Sequence, residues 1–235
     1  MFKIKPSSLA ALRSIKNEFL DQTKMPEEKK LNTLKDDDVW IRIVSQVVVV
    51  GGAKPAELLK DKEVKAKISW ENLKSLTEGN RKRVIWEVLK QIKARYAGKS
   101  IESCKKTDAI FKNFEIIKSE YGPKSFLLNA SKQPGDKEKI KYISKLSYFK
   151  NKGARDFLTS GFGVLKNSIA IDSRVMNSLN HVGIELPSEV LKSTKKYEAA
   201  ERQLIEEVCK PLDLLGSELD QLLFKNYEKI ITQSW

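Results

Sequence analysis

A chain of 235 residues can hold one large domain or two small ones, and its 40% hydrophobic and 8% aromatic residues supply a core, which excludes a wholly disordered chain. Lys and Arg number 44 against 31 Asp and Glu; the resulting charge of +13 favours a polyanionic partner, of which nucleic acid is the commonest. Two cysteines, Cys104 and Cys209, cannot supply a four-thiolate cluster or a zinc finger and read as small buried hydrophobes. The single histidine, His181, argues against a His-rich metal site, so neither a metal nor a cofactor is expected.

In chain order, "MFKIKPSSLAALRSIKNEFLDQ" lacks an apolar core long enough for a signal peptide. Residues 22–38 read as a loop. "VWIRIVSQVVVV" has strand propensity, yet no second strand of matching length exists to pair with it. It therefore reads as a buried helix ended by Gly51-Gly52, with Pro55 opening the next. That run is too short for a membrane span, which needs about 20 apolar residues. A cytoplasmic protein is expected, associated with the nucleoid if prokaryotic. "SWENLKSL" opens on Ser69. Residues 80–97 set Val84, Ile85, Val88, Leu89, Ile92 and Tyr96 at helical spacing. Residues 107–122 open on a Thr cap and stop at Gly122-Pro123, and 131–137 read as a loop.

From Asp136 to Leu158 the pattern is helix, short link, helix, with Ile140, Ile143 and Leu146 on one face and Ala154, Phe157 and Leu158 on the other. The link, "SYFKN", is flanked by Lys150, Lys152 and Arg155. A tight hairpin of this kind can offer backbone N–H groups to a DNA phosphate. The apolar run "SIAID" then delivers Asp172 to the start of a helix carrying Val175, Met176 and Leu179, where backbone donors favour a charged carboxylate. Two more helical patterns follow, one with Ala200, Leu204 and Val208 on a stripe and one starting at Gly216-Ser217. The whole reads as all-α, with about ten to twelve helices.

The order hairpin, Lys152, Ala154, apolar run, "IDSRV" resembles the helix-hairpin-helix DNA glycosylases with a Gly/Pro-Asp signature. The tail "LDLLGSELDQLLFKNYEKI", with Leu219, Asp220 and Leu223 in register, is most similar to the archaeal-type (type 2) 8-oxoguanine glycosylase/AP lyases. "WIRIVSQVVV" resembles an early helix of that family, with Ser45 and Gln46 matching a polar pair near the extruded base. Tyr148 and Lys150 stand where the family's hairpin carries glycines, and Arg174 where others have His. The absence of a cysteine cluster excludes the iron–sulfur members.

The resemblance implies a two-lobed fold with a central cleft. One lobe would span 35–165 and end in the hairpin; the other would join 1–34 to 166–235. It implies a monomer that binds double-stranded DNA with a damaged base, excises an oxidised purine, 8-oxoguanine first, and then cleaves the strand. Lys152 would be the nucleophile and Asp172 its electrostatic partner. Gln46, Ser45, Trp40, Lys150, Arg155, Arg174, Asp220, Phe224 and Tyr227 would hold DNA or the flipped base. An attacking amine must be neutral, a free lysine has a pKa of about 10.4, and cations nearby favour the neutral form. Two rival readings are a non-catalytic nucleic-acid-binding protein of the same fold and a helical protein–protein adaptor.

Overall fold

The computed structural model describes residues 2–25 and 31–235. All regular structure among them is helical. The α-helices are α1 (Pro6–Phe19), α2 (Asp36–Val48), α3 (Lys54–Leu58), α4 (Lys62–Lys67), α5 (Trp70–Ser75), α6 (Glu78–Gln91), α7 (Lys105–Ser119), α8 (Pro123–Ser131), α9 (Asp136–Ile143), α10 (Asn151–Asp156), α11 (Ser173–His181), α12 (Thr194–Leu204), α13 (Gly216–Lys225) and α14 (Tyr227–Thr232). Contacts divide the chain into two units. One runs up to Lys150; the other joins the N-terminal segment to Asn151–Trp235. The break thus falls inside the helix–link–helix, whereas the sequence expectation sets it after residue 165.

In the unit ending at Lys150, α2 is the central element and packs against α3, α5, α7 and α8. Its β-branched run forms a helix because tertiary burial outweighs strand propensity: Val39, Trp40, Ile43, Val44, Val47 and Val48 are all buried. The Asp run ahead of it is not loop, as residues 22–38 were expected to be. It is the first turn of α2. Residues 26–30 of that expected loop lie outside the described residues. Asp36 accepts from the N–H of Lys124 at the start of α8 (2.7 Å), and Asp37 from that of Trp70 at the start of α5 (2.5 Å). One acidic turn thereby satisfies orphan donors of two other helices. Gly122 takes φ +112 beside it, and a Cβ there would meet the Asp36 carboxylate at 3.2 Å. At the far end of α2, the buried Lys106 donates to the carbonyls of Val48 (3.2 Å) and Val50 (2.6 Å). A cation at those orphan carbonyls suits the helix dipole.

Two expected boundaries move. Cys104, not a threonine, caps α7: its Sγ accepts from the N–H of Thr107 at 3.4 Å. α6 ends at Gln91, and Tyr96 is no stripe residue but 65% exposed with φ +65.

The second unit has one apolar core, in which Leu12, Ile15 and Phe19 of α1 join Val175 and Leu179 of α11, Leu204 of α12, Leu219, Leu222 and Leu223 of α13, and Ile230 of α14. α1 is fastened there by Lys16, whose Nζ donates to the carbonyl of Leu212 at 2.6 Å. The helical pattern that starts at Gly216-Ser217 breaks at Asn226 into α13 and α14, and α11 packs on both.

Candidate active site

The site is assembled from α10, the extended segment entering α11, and α13, all in the second unit. Lys152 lies in the first turn of α10, and its Nζ is 3.5 Å from Oδ2 of Asp156, one turn on. The pair is loose and wet, with side chains 36% and 21% exposed. Asp156 continues into a wide π-turn, Phe157–Gly161, which buries Phe157 and Leu158.

Arg155, on the same helix, has a different fate. It is 3% exposed, and its Nε and Nη2 grip the Glu201 carboxylate of α12 at 2.6 to 3.0 Å. Its Nη1 donates to the carbonyl of Asn151 (3.0 Å), and the guanidinium lies 4.5 Å from the centre of the Tyr197 ring. Burial alone would lower its pKa, but the hydrogen bonds and charge of Glu201 win and raise it, so it stays a cation. The expectation that Arg155 meets DNA or helps keep Lys152 neutral is therefore corrected. Its charge faces inward, and the charge beside Lys152 is a carboxylate.

Glu201 does more than hold Arg155. Its Oε1 also accepts from the Ser168 hydroxyl (2.8 Å) and the N–H of Ile169 (2.9 Å), while the Tyr197 hydroxyl donates to the carbonyl of Ile169 (2.9 Å). Burial pushes the Tyr197 phenol well above its ordinary range, so it remains a donor. One buried carboxylate thus fixes both the helix of Lys152 and the segment that leads to Asp172 three residues later.

Asp172 is the N-cap of α11. Its Oδ1 accepts from the N–H groups of Arg174 and Val175, both at 3.0 Å. Among the described residues no hydrogen bond uses its other oxygen, and the side chain is half-buried. On α13, Asp220 is only 2% exposed, and its Oδ2 accepts from Nε2 of Gln221 at 2.9 Å. The same Nε2 reaches the hydroxyl of Ser160 at 3.1 Å. Burial pushes the Asp220 carboxyl up to about 7; Gln221 opposes this, the charges of Asp156 and Asp172 add to it, and Lys152 opposes it again. Three charged side chains, one ammonium and two partly exposed carboxylates, thus act on one buried carboxyl.

Beside Asp172, the exposed Arg174 lies over the rings of Phe224 (5.1 Å) and Tyr227 (5.8 Å). The Tyr227 hydroxyl accepts from Asn177 at 3.4 Å. Three residues expected at the DNA therefore form one cationic and aromatic patch.

The residues expected from the other unit divide. Trp40 is fully buried, donates to the carbonyl of Ile68 (2.8 Å) and stacks edge-on to Trp70 and Phe114. It is core, and its expected role at a base is corrected. Ser45 is half-buried and Gln46 is 6% exposed, both on α2. Lys150 is exposed in the link. Tyr148, at the position of a family glycine, takes φ +70, so the link keeps a left-handed residue without the glycine.

Sequence reasoning missed Asp156, Glu201 and Gln221. The spacing of Lys152 and Asp156, four apart on a helix, was a usable signal. Glu201 offered none, since a glutamate on an amphipathic helix reads as solvated.

No protein-family model matches the chain, and no curated protein matches it by sequence. Among solved structures, an 8-oxoguanine glycosylase/lyase of Methanocaldococcus jannaschii, in complex with a 15mer DNA containing 8-oxoguanine, matches with a TM-score of 0.66. The identity is 14%, over 94% of this chain and 98% of that one. A structure of the 8-oxoguanine DNA glycosylase of the same organism matches with a TM-score of 0.63 and 16% identity, over 92% and 91% of the two chains. The likeness is one of fold: the chain has the all-α fold of these glycosylase/lyases, as the sequence resemblance implied. No helix among the described residues is long and apolar enough to cross a membrane.

Proposed function

We propose that the chain is a bifunctional DNA glycosylase/AP lyase of base excision repair, acting on double-stranded DNA that carries an oxidised purine, 8-oxoguanine first. The observation that carries this reading is the cluster around Lys152. Its amine has one loose partner, Asp156 at 3.5 Å, and the buried Asp220 carboxyl feels the charges of Lys152, Asp156 and Asp172 together. In a chain with this fold, that is an amine and a carboxylate in one neighbourhood, neither tied down by tight ion pairing.

The chemistry runs as follows. The amine of Lys152 loses its proton, with Asp156 the carboxylate within reach to relay it. Its lone pair attacks the anomeric carbon of the damaged nucleotide. The bond from that carbon to the base breaks, its electron pair leaves on the base, and the base takes up a proton. The sugar passes through an oxocarbenium-like state, whose positive charge the Asp172 carboxylate stabilises. Opening of the sugar ring leaves an imine on Lys152. A proton then departs from the neighbouring sugar carbon, and the next carbon–oxygen bond breaks with its pair leaving on the phosphate.

Extruding the base costs a few kcal/mol, and phosphate attraction by a chain of net charge +13 offsets it. In this reading the Asp220 carboxyl, near neutrality at about 7, presents both a donor and an acceptor to a base edge. Arg174 with Phe224 and Tyr227 supplies a face for stacking.

Borohydride trapping on a duplex containing 8-oxoguanine or an abasic site tests the reading. The wild type is expected to form a covalent adduct, and Lys152→Gln none. Absence of an adduct with the wild type on either duplex would favour the non-catalytic nucleic-acid-binding alternative.

A further inference from the structure

Asp220 carries an oxygen that the fold does not use. Its side chain is 2% exposed, and among the described residues only Oδ2 is hydrogen-bonded, to Nε2 of Gln221 at 2.9 Å. A buried polar atom left unpaired costs free energy, so Oδ1 is a place for a ligand to bond. The bond to Oδ2 is itself unusual. Asp220 and Gln221 are neighbours on α13, and successive side chains of a helix point about 100° apart, so they do not normally meet. Gln221 is 5% exposed, and its amide turns back to reach the carboxyl.

The same Nε2 also donates to Oγ of Ser160 at 3.1 Å. Ser160 lies in the π-turn that follows Asp156, and turns of this kind are frequent at functional sites. Gln221 thus uses its amide nitrogen to fasten one oxygen of Asp220 to the segment that carries Lys152 and Asp156. That has a chemical consequence. An oxygen that accepts from an amide is the carbonyl oxygen of a neutral carboxyl, so the proton of Asp220 is directed to the other one.

We propose that Gln221 is a positioning residue of the site: by holding Oδ2 it directs the proton of Asp220 to Oδ1, which then donates to an acceptor on the edge of the flipped base. The inference rests on the glycosylase reading and deepens it, by fixing which oxygen of Asp220 donates and what the base must offer there. Burial pushes the Asp220 carboxyl up to about 7, and Gln221, donating to the charged form, pulls against that. The ionisable groups that act on it are Lys152 and Asp156 of α10, Asp172 at the head of α11, Tyr197 of α12 and Lys225 of α13. The test leaves all five in place.

The carboxyl is followed first, and then the reaction. The carbon-13 carboxyl resonance of Asp220, identified by its absence from Asp220→Asn, is titrated in the free protein from about pH 4 to pH 9. The midpoint is expected at about 7 in the wild type. In Gln221→Leu it is expected about one pH unit higher, a tenfold gain in proton affinity, because the charged form loses a hydrogen bond. Ser160→Ala leaves the amide in place but unfastened, and is expected to move the midpoint the same way by less. An unmoved midpoint in Gln221→Leu overturns the assignment; if that variant does not fold, an unmoved midpoint in Ser160→Ala does so. Single-turnover excision from a duplex containing 8-oxoguanine is then measured over the same pH range. The rate is expected to fall as pH rises through the midpoint. In Gln221→Leu the fall is expected to move up with the midpoint, and the plateau below it to drop at least about twofold, since the proton is then shared between two oxygens. A structural role alone would lower the rate equally at every pH and leave the fall in place; that outcome overturns the proposal even where the titration moves. A wild type that neither excises nor traps with borohydride sinks the glycosylase reading, and the titration still decides whether Gln221 holds Asp220.

Discussion

Lys152 and Arg155 lie three residues apart on the six-residue helix α10, and each has a carboxylate partner. Arg155 is buried, its partner is 2.6 Å away, and a single carboxylate of Glu201 accepts from it, from a serine hydroxyl and from a backbone N–H. Lys152 is one-third exposed, and its partner is 3.5 Å away. A planar guanidinium with a fixed fork suits the first task, and a compact ammonium on a flexible stem suits the second. The contrast separates a scaffold pair from an available amine within four residues: the tight pair fixes where α10 and the Asp172 segment lie, and the loose one leaves the Lys152 amine without a close partner, as the proposed chemistry requires.

The comparison breaks most sharply under a pair of substitutions. Lys152→Gln is expected to lower strand cleavage by at least about a thousandfold while leaving the urea midpoint unchanged. Glu201→Gln is expected to do the reverse first. It leaves the buried Arg155 charge uncompensated and costs about 3–5 kcal/mol of stability, read by urea unfolding. If Glu201→Gln unfolds like the wild type, the tight pair is not the scaffold described here.

Asp172→Asn sharpens the comparison from the other side. Asparagine caps a helix about as well as aspartate, so stability should change by less than about 1 kcal/mol. The charge proposed to steady the sugar cation is lost, and single-turnover excision should fall by about a hundredfold to a thousandfold. A variant that loses both equally would show that Asp172 acts through the helix alone.

Asp220 gives a pH signature. Its folded-state carboxyl titrates at about 7 against an ordinary value of 3.8, so between those values the folded chain holds a proton that the unfolded chain has released. Its contribution to stability is therefore full below pH 4 and is lost as pH rises towards 7, by up to about 1.4 kcal/mol per pH unit. Asp220→Asn removes that loss. The stability of the variant relative to the wild type should rise from pH 4 to pH 7 and level off above; a flat difference would place the carboxyl among ordinary acids. The smallest effect is expected of Asp156→Asn, a several-fold fall in single-turnover rate with a displaced pH–rate profile and little change in stability, since half-exposed i,i+4 pairs contribute only about 0.3–0.5 kcal/mol.

How much of this could be read in the sequence follows the range of each interaction. Asp172 at the head of α11 was legible because a cap is decided by the next three residues. α2 was legible as a helix because its β-branched run had no partner strand and ended in two glycines. Glu201 was not, because what distinguishes it is Arg155, Ser168 and Ile169, brought to it across a stretch of chain whose course no local pattern encodes. Arg155 and Trp40 were misassigned for the same reason. A basic residue beside a lysine and an aromatic on an early helix look alike whether they face a ligand or the core, and only burial tells them apart. Tyr148 is a different case: it stands where the hairpin of the resembled family carries a glycine, yet it adopts the glycine-like φ at a cost in strain.

The central claim is that the amine of Lys152 carries the covalent chemistry, and locating the trapped adduct tests it most directly. The wild type is reduced with borohydride on abasic DNA, digested, and the modified peptide is sequenced by mass spectrometry. The account predicts a sugar remnant on Lys152. A remnant on another lysine, such as the buried Lys106, or a chain that carries no remnant after saturating exposure, contradicts it.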